Sequence, residues 1–464
     1  MAVSFLATES FVGAVVSQVS VRVCPAGTGP GSASLLTVPP DVLEAQELYR
    51  LLAGGEVYSV YQPIVELDTG ATVAFEALAR GPRGGALECP DLLFAAARRA
   101  GRLPDLDRAC QKAAVTGAEM GGLGSPWTLF VNVEPETANV TFLQPVPSNP
   151  EEDPGPFGPV CDFQIVVELT ERALIAEPIE LLKLVARVRA RGWGIALDDV
   201  GADRDSLALL PLLQPDVIKL DLRLVQQRPT TEIAQIVSAV HAEAERSFTV
   251  ILAEGIETKE HLNIALAMGA TLGQGWLLGR PAALPQPLAG FTGSRVRIAE
   301  RDDPVSVKTP FALGAAHRPP RRSRKALLIE ISKHLEHQAM IAGESTVVLA
   351  TFQDASFFTK ATRRRYAQLA SQAALVGALG EGMPPEPLPG VRGCVLDPAD
   401  PLVGEWDIVV VGPHFAATLV ARDLGDTGPD NDRRFEFVLS HDRELAIRVA
   451  FVLMSRVWPG PSYT

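Results

Sequence analysis

The sequence predicts an α/β protein: a (β/α)8 TIM-like barrel with an antiparallel first strand, followed by a smaller α/β domain. Three observations carry this. Eight short, β-rich apolar runs lie between Tyr58 and Leu278, most of them separated by helix-length amphipathic segments. The first two runs are joined by Leu67-Asp-Thr-Gly70, a turn signal that makes them an antiparallel hairpin. Polar residues, mostly acids, recur at the C-terminal ends of the runs. Apolar strands of this kind need cover on both faces, which a closed barrel supplies; an open doubly wound sheet is the rival arrangement. A chain of 464 residues has room for two to four domains with sizeable cores.

In chain order, residues 1–41 read as an N-terminal extension, with a Gly/Ser/Pro-rich linker at 27–34. The barrel is expected over 42–290. Residues 43–52 have helical apolar spacing, Tyr58–Val65 and Ala71–Phe75 are the hairpin strands, and 92–100 and 106–120 are helices. Strands follow at Trp127–Asn132, Gln164–Glu168, Gly194–Asp199, Val217–Asp221, Phe248–Glu254 and Gly273–Leu278. The helix over 179–191 is stopped by Gly192, and 230–244 forms another. Residues 144–160, Pro-rich and acidic, read as a long loop where a helix would be regular.

Composition narrows the function classes. The formal net charge of −13 argues against broad binding to nucleic acid. Five scattered cysteines with no CxxC pair suit reduced thiols in the cytoplasm and indicate neither a disulfide framework nor a zinc site. No run approaches eighteen uninterrupted apolar residues, so no membrane span is expected.

The strand ends carry the chemistry. Glu76 closes the run Val73–Phe75, and Arg80 follows four residues on, an acid and a guanidinium suited to a cation and a phosphate together. Asn132, Glu168, Asp198, Asp199, Lys219, Glu254 and Gln274 stand at or beside the later ends. Any one of these acids would pass as a helix cap or a solvated loop residue. Repeated strand after strand, they converge on one rim. There, unneutralised carboxylates would repel by roughly 4 kcal/mol per pair at 4 Å and an effective dielectric of 20. Carboxylates with one Asn are hard oxygen donors for Mg2+ or Mn2+, and adjacent Asp198 and Asp199 suit a pair of ions about 3.5–4 Å apart, the apparatus for in-line attack on a phosphodiester.

From about Glu44 to Leu288 the chain resembles the EAL domain family of cyclic di-GMP phosphodiesterases. The matching motifs, in family order, are Tyr61-Gln-Pro-Ile64, Glu76-Ala-Leu-Ala-Arg80, Phe130-Val-Asn-Val133, Glu168-Leu-Thr-Glu171, Leu197-Asp-Asp-Val-Gly201, Asp216-Val-Ile-Lys-Leu-Asp221, Ala253-Glu-Gly-Ile-Glu257, Gly273-Gln-Gly275 and Arg280-Pro281. The resemblance implies two Mg2+ or Mn2+ ions per site, hydrolysis of cyclic di-GMP to linear 5'-pGpG, inhibition by Ca2+ and a homodimer through the EAL domain. It implies Glu76, Asn132, Glu168 and Asp198 as metal ligands, with Asp199 on the second ion. Glu254 would be a ligand or the base, Lys219 would orient the attacking water, and Glu171 would pin the loop after Asp199. Glu257 would support the ligands, and Gln62, Arg80 and Gln274 would hold the dinucleotide. The sequence departs from the family at Val200-Gly-Ala-Asp-Arg-Asp-Ser206 and at 144–160. No ligand is lost. An active enzyme is favoured, with a catalytically silent cyclic di-GMP receptor or signalling scaffold as the alternative.

Residues 291–325 read as a linker, ending in the basic run Arg318–Lys325, taken as solvated rather than as a nucleic-acid patch. Over 326–464 a small α/β sandwich is expected: helices at 327–337, 360–377 and 442–457, and strands at Ser345–Phe352, Trp406–Gly412 and Phe435–Leu439. His334, His337 and His414 are read as surface or satisfied side chains rather than ligands. The segment resembles the DICT sensory domain, on domain order and on 345–357; that implies input sensing of an unknown signal.

Overall fold

The computed structural model describes residues 40–134, 137, 161–170, 178–202, 207–299, 309–427 and 429–456. The expected loop at 144–160, residues 203–206 of the altered loop, Glu171 and most of the N-terminal extension fall outside them. Helices α1 (Pro40–Gly54) and α2 (Pro90–Arg99) lie in a unit of their own, formed by residues up to Glu56 and by 80–103. Within it Glu44 and Arg99 form an ion pair, and the Arg102 guanidinium stands 5.2 Å from the centre of the Tyr49 ring.

Eight strands close a barrel in chain order: β1 (Tyr58–Glu66), β2 (Thr72–Arg80), β3 (Thr128–Val133), β4 (Gln164–Thr170), β5 (Gly194–Val200), β6 (Val217–Leu220), β7 (Val250–Ala253) and β8 (Leu272–Gly273). Parallel pairing runs from β2 to β8, and β1 closes the barrel antiparallel to β8, which is the inverted first strand that the sequence predicts. Around it stand α3 (Leu103–Met120), α4 (Pro178–Ala190), α5 (Leu210–Leu213), α6 (Leu222–Gln226), α7 (Thr231–Ser247) and α8 (Lys259–Ala267). Gly192, at φ +73°, ends the α4 segment as its sequence requires.

Side chains alternate across a strand, so each barrel strand serves two cores. Phe75, Leu129, Val167, Leu197, Ile218 and Ile251 pack outward against the helices. Ile64, Ala74, Phe130, Val166, Ala196, Val217, Leu252 and Leu272 form a separate, fully apolar layer inside. One residue from each strand supplies that layer, and it is the floor on which the site is built.

Three expectations shift here, the first being the strand expected over Gly273–Leu278, which is only Leu272–Gly273 because the chain turns after Gln274. The strand expected from Phe248 begins at Val250, because Phe248 ends α7 in the left-handed conformation, at φ +57°. Strand β2 runs four residues past Glu76 instead of ending on it. The acid is tolerated within the strand because its carboxylate is bonded on the inside.

The second module is a seven-stranded mixed sheet in the order β12-β11-β10-β13-β14-β15-β9, comprising β9 (Arg321–Arg324), β10 (Val347–Asp354), β11 (Leu375–Glu381), β12 (Val391–Val395), β13 (Glu405–Val411), β14 (Ala416–Asp423) and β15 (Arg434–Ser440). Its helices are α9 (Pro310–His317), α10 (Lys325–Ala342), α11 (Lys360–Ala370) and α12 (Arg443–Met454). Alternate residues of β10 again divide between two cores. Val348 and Ala350 pack with α10 and α11, whereas Val347 and Leu349 belong to the cluster that contains the α12 side chains. That cluster continues without a break into Leu210, Leu212 and Leu213 of α5, so the last helix of the chain packs on the barrel.

Here the expectation was too coarse. The helix read over 360–377 stops at Ala370 and the chain turns into β11, which pairs parallel with β10. Strands β9, β12 and β14 were not anticipated. The end of the expected linker is α9 and β9, both part of the module. The basic run spends its charges on acids: Arg322 on Glu436 at 2.8 Å, Arg324 on Asp432 at 3.2 Å and Lys325 on Asp430 at 2.6 Å. His334, His337 and His414 are exposed, and no disulfide joins the described cysteines. Among the described residues no helix is long and apolar enough to cross a membrane.

Candidate active site

Two residues from the apolar floor, after it on β2 to β8 and before it on the inverted β1, the position on or just past each strand is polar. Going round the barrel from β1, these positions hold Gln62, Glu76, Asn132, Glu168, Asp198, Lys219, Glu254 and Gln274. Inward parity therefore gathers eight of the twelve residues singled out from the sequence into one ring. The ring caps an apolar layer, so its charges sit against a low-dielectric floor and act on one another strongly.

Lys219 is its hub. The side chain is fully buried, and its Nζ lies 2.9 Å from Glu168 Oε1, 2.9 Å from Asp198 Oδ1, 2.9 Å from Glu254 Oε1 and 3.6 Å from Glu76 Oε1. An ammonium has three protons, so it cannot satisfy four carboxylates at once. Burial alone would lower the lysine pKa, but the surrounding acids overcome it and hold the pKa well above the usual value.

The acids differ in state. Burial, the Glu76 charge and the Asp198 charge push Glu168 well above the usual carboxylate range, against the pull of Lys219. Burial raises Glu254 too, to about 8, with Asp198 and Glu76 adding to it and Lys219 opposing. Glu76 goes the other way. Burial disfavours its charge, but Lys219 and the amides of Gln274 and Asn132 outweigh that and lower its pKa. Gln274 Nε2 donates to Glu76 Oε2 at 2.6 Å and to Gln62 Oε1 at 2.9 Å, and Asn132 Nδ2 donates to Glu76 Oε1 at 3.0 Å. Gln62 in turn donates to the Gly279 carbonyl at 3.1 Å. The two glutamines thus brace Glu76, and Gln274 Oε1 stays buried without a partner.

Asp199 joins by a different device. In a regular strand it would point away from Asp198. Instead the β5–β6 register slips between Leu197 and Val200, where three steps on β5 match two on β6, a β-bulge. Asp199 takes φ +57°, a conformation that aspartate tolerates better than most residues. The bulge brings oxygens of Asp198, Asp199 and Glu254 within 4.8 Å of one another. Burial, Asp198 and Asp221 raise the pKa of Asp199. Gly275 seals the rim: its φ of +155° and the adjoining Ile256 backbone leave no room for a Cβ.

The donor set fits a divalent cation. The oxygens are hard, two of the acids resist ionisation without a counter-charge, and Glu168 Oε2 is buried with no hydrogen-bond partner. Not all the expected residues join the ring. Arg80 is the half-buried last residue of β2, and Glu257 is exposed, its backbone N–H donating to His261 Nδ1 at 3.3 Å. One functional candidate escaped the sequence reading: Asp107 of α3, a buried acid bonded to the turn just after Asn132. Its setting in a helix gave no signal beyond that of a surface acid.

Known proteins match the chain over the barrel and over the second module. The EAL domain sequence model matches residues 45–281, and the model described as a sensory domain in diguanylate cyclases and two-component systems matches 310–424. The uncharacterized protein y4lL of Sinorhizobium fredii is 30% identical over 263 residues, which is 55% of this chain and 30% of that protein. The cyclic di-GMP phosphodiesterase RocR of Pseudomonas aeruginosa is 30% identical over 251 residues, 51% of this chain and 60% of RocR. Among solved structures, the manganese/cy-diGMP complex of Klebsiella pneumoniae BlrP1 at pH 9.0 is 29% identical with a TM-score of 0.41, covering 49% of this chain and 56% of BlrP1. With its barrel matched from end to end, the chain belongs to the EAL domain family.

Proposed function

We propose that the chain hydrolyses one phosphodiester of cyclic di-GMP, giving linear 5'-pGpG, with two Mg2+ or Mn2+ ions held by the ring. The observation that supports this most is the charge balance at the barrel mouth. Glu76, Glu168, Asp198, Asp199 and Glu254 face a single ammonium, so full ionisation leaves an excess of four negative charges, the charge of two divalent cations. Glu76, Glu168, Asp198 and the Asn132 amide oxygen would hold one ion; Asp198, Asp199 and Glu254 would hold the other. When bound, the ions supply Lewis-acid activation of water and neutralise charge at the phosphate.

The chain's own groups do the rest. Glu254, standing on the ring beside Lys219, serves as a ligand of the second ion or as the base for the attacking water. Lys219 Nζ, 2.9 Å from Glu254 Oε1, is a fixed positive charge that orients a water beside that base and offsets charge developing on the phosphate. Arg80 offers a guanidinium fork to phosphate oxygens. Gln274 Oε1, buried and unpartnered, offers an acceptor to the nucleotide, and Gln62 holds that amide in place. Glu171 and Glu257 serve as supports of neighbouring loops. The sensory module, packed on α5 through α12, regulates the barrel in response to an unknown signal, and the barrel forms a homodimer.

Incubation of the purified chain with cyclic di-GMP and Mg2+ or Mn2+ tests this reading. It expects 5'-pGpG to form, to stop with EDTA and to be lost in Glu254→Ala. Binding of cyclic di-GMP without product would replace the enzyme with a receptor.

A further inference from the structure

Asp107 lies outside the ring, yet it is only 2% exposed, and three donors converge on it. Gln111 Nε2 donates to its Oδ2 at 3.0 Å, Thr137 Oγ1 donates to the same oxygen, and the Glu134 backbone N–H donates to Oδ1 at 3.3 Å. Glu134 and Thr137 stand two and five residues past Asn132, whose amide donates to Glu76 at 3.0 Å. Asp107 thus holds both Glu134 and Thr137, and the Thr137 N–H donates to the Glu134 carbonyl at 3.0 Å. Glu134 precedes Pro135 in the sequence, and a residue before proline is held out of the helical conformation, so Glu134 itself cannot open a helix. We propose that Asp107 is a positioning residue for the metal site: it clamps the turn after β3 and so fixes where the Asn132 amide stands in the ring. This rests on the reading of the ring as a divalent-cation site.

The clamp closes in either protonation state of the acid. The Thr137 hydroxyl reaches both Asp107 Oδ2 and the Glu134 carbonyl, the latter at 2.8 Å, and it has one proton to give. With Asp107 ionised, the hydroxyl donates to the carboxylate. With Asp107 protonated, the carboxyl donates to Thr137 Oγ1, and the Thr137 hydroxyl donates to the carbonyl of Glu134. Burial does push the Asp107 pKa up to about 7, against the bonds from Thr137 and the Glu134 N–H, so both forms are used near neutrality. An asparagine reproduces the second form: its NH2 donates to Thr137 and its oxygen accepts from the Glu134 N–H. A flip of the Gln111 amide, whose Oε1 is buried without a partner, lets that oxygen accept from the other amide N–H. An alanine reproduces neither.

The test is calorimetric titration of the full chain with Mn2+, without nucleotide, beside thermal melting in EDTA. Supporting residues behind metal ligands are worth about 10–100-fold in affinity, so Asp107→Ala should weaken Mn2+ binding at least about tenfold and Asp107→Asn less than about threefold. On an Asn132→Ala background, Asp107→Ala should add under about twofold, because both act through one amide. Should Asp107→Ala fail to fold, Thr137→Val carries the test and should weaken binding in the same direction. Unchanged Mn2+ affinity in Asp107→Ala, or in Thr137→Val where that stands in, overturns the proposal. So do equal losses in Ala and Asn, or losses that multiply with Asn132→Ala. Wild-type protein that binds no Mn2+ overturns the metal reading beneath it, which is a different failure.

Discussion

Glu168→Gln separates a metal site from a structural ion-pair cluster. Glu168 is 1% exposed, and burial with the Glu76 and Asp198 charges favours its neutral form, against the pull of Lys219, when no cation is present. Glutamine copies that neutral form in shape and volume. In EDTA at pH 7 the variant should therefore match wild-type stability to within about 1 kcal/mol, the scale of one altered hydrogen bond. A cation needs the carboxylate. At a Mn2+ concentration 100-fold above Kd, binding stabilises wild type by about 2.7 kcal/mol. At roughly 2–4 °C per kcal/mol for a domain of 150–250 residues, the barrel transition should rise by about 5–10 °C. Glu168→Gln should lose most of that rise. In wild type the rise should also grow with pH, because a cation needs Glu254 ionised and burial pushes its pKa up to about 8. Scanning calorimetry with and without Mn2+ reads all of this. A variant that melts several kcal/mol lower in EDTA yet keeps the full Mn2+ shift would refute the reasoning and make the cluster an ion-pair scaffold.

Three further outcomes follow from the same coordinates. Lys219→Met leaves four facing acids without their cation and should cost about 3–5 kcal/mol in EDTA at pH 7, partly recovered with Mn2+; denaturant melts read both. Asp107 holds its proton more tightly folded than unfolded, its pKa rising from 3.8 to about 7 on burial. Its contribution is thus full below about pH 4 and lost as the pH climbs to 7, a difference of roughly 4 kcal/mol that Asp107→Asn should flatten in a stability-against-pH curve. In the sensory module Tyr366 is fully buried among Phe352 and Phe358 with its hydroxyl unpartnered, so Tyr366→Phe should be neutral or stabilising by up to about 2 kcal/mol, measured by melting.

The barrel was legible because its code is redundant. From β2 to β8 an apolar residue is followed two positions on by a polar one, so Phe130 with Asn132 or Val166 with Glu168 repeats one message around the sheet, and the inverted β1 carries it in reverse. What the pattern could not show is local geometry. The pair Asp198-Asp199 is visible as two acids, but the bulge that turns both toward the site depends on pairing with β6. Glu76 looked like a strand end because a buried acid is costly, and its compensation by Lys219, Gln274 and Asn132 comes from residues 56 to 198 positions away. The second module was less legible for the same reason. The Ala-rich stretch after Lys360 has no breaker before β11, and only pairing with β10 turns it into a strand. Strand β9, Arg321–Arg324, looks like a solvated basic run because its partners Glu436 and Asp432 lie more than a hundred residues on. Charged side chains on such a strand also suit an unprotected sheet edge.

Crystals grown with Mn2+ and cyclic di-GMP, measured at the manganese absorption edge, put the ring itself to the test. Two anomalous peaks about 3.5–4 Å apart are expected, one among Glu76, Asn132, Glu168 and Asp198 and one among Asp198, Asp199 and Glu254. Density for the nucleotide with no peak inside the ring would contradict the metal-dependent reading outright.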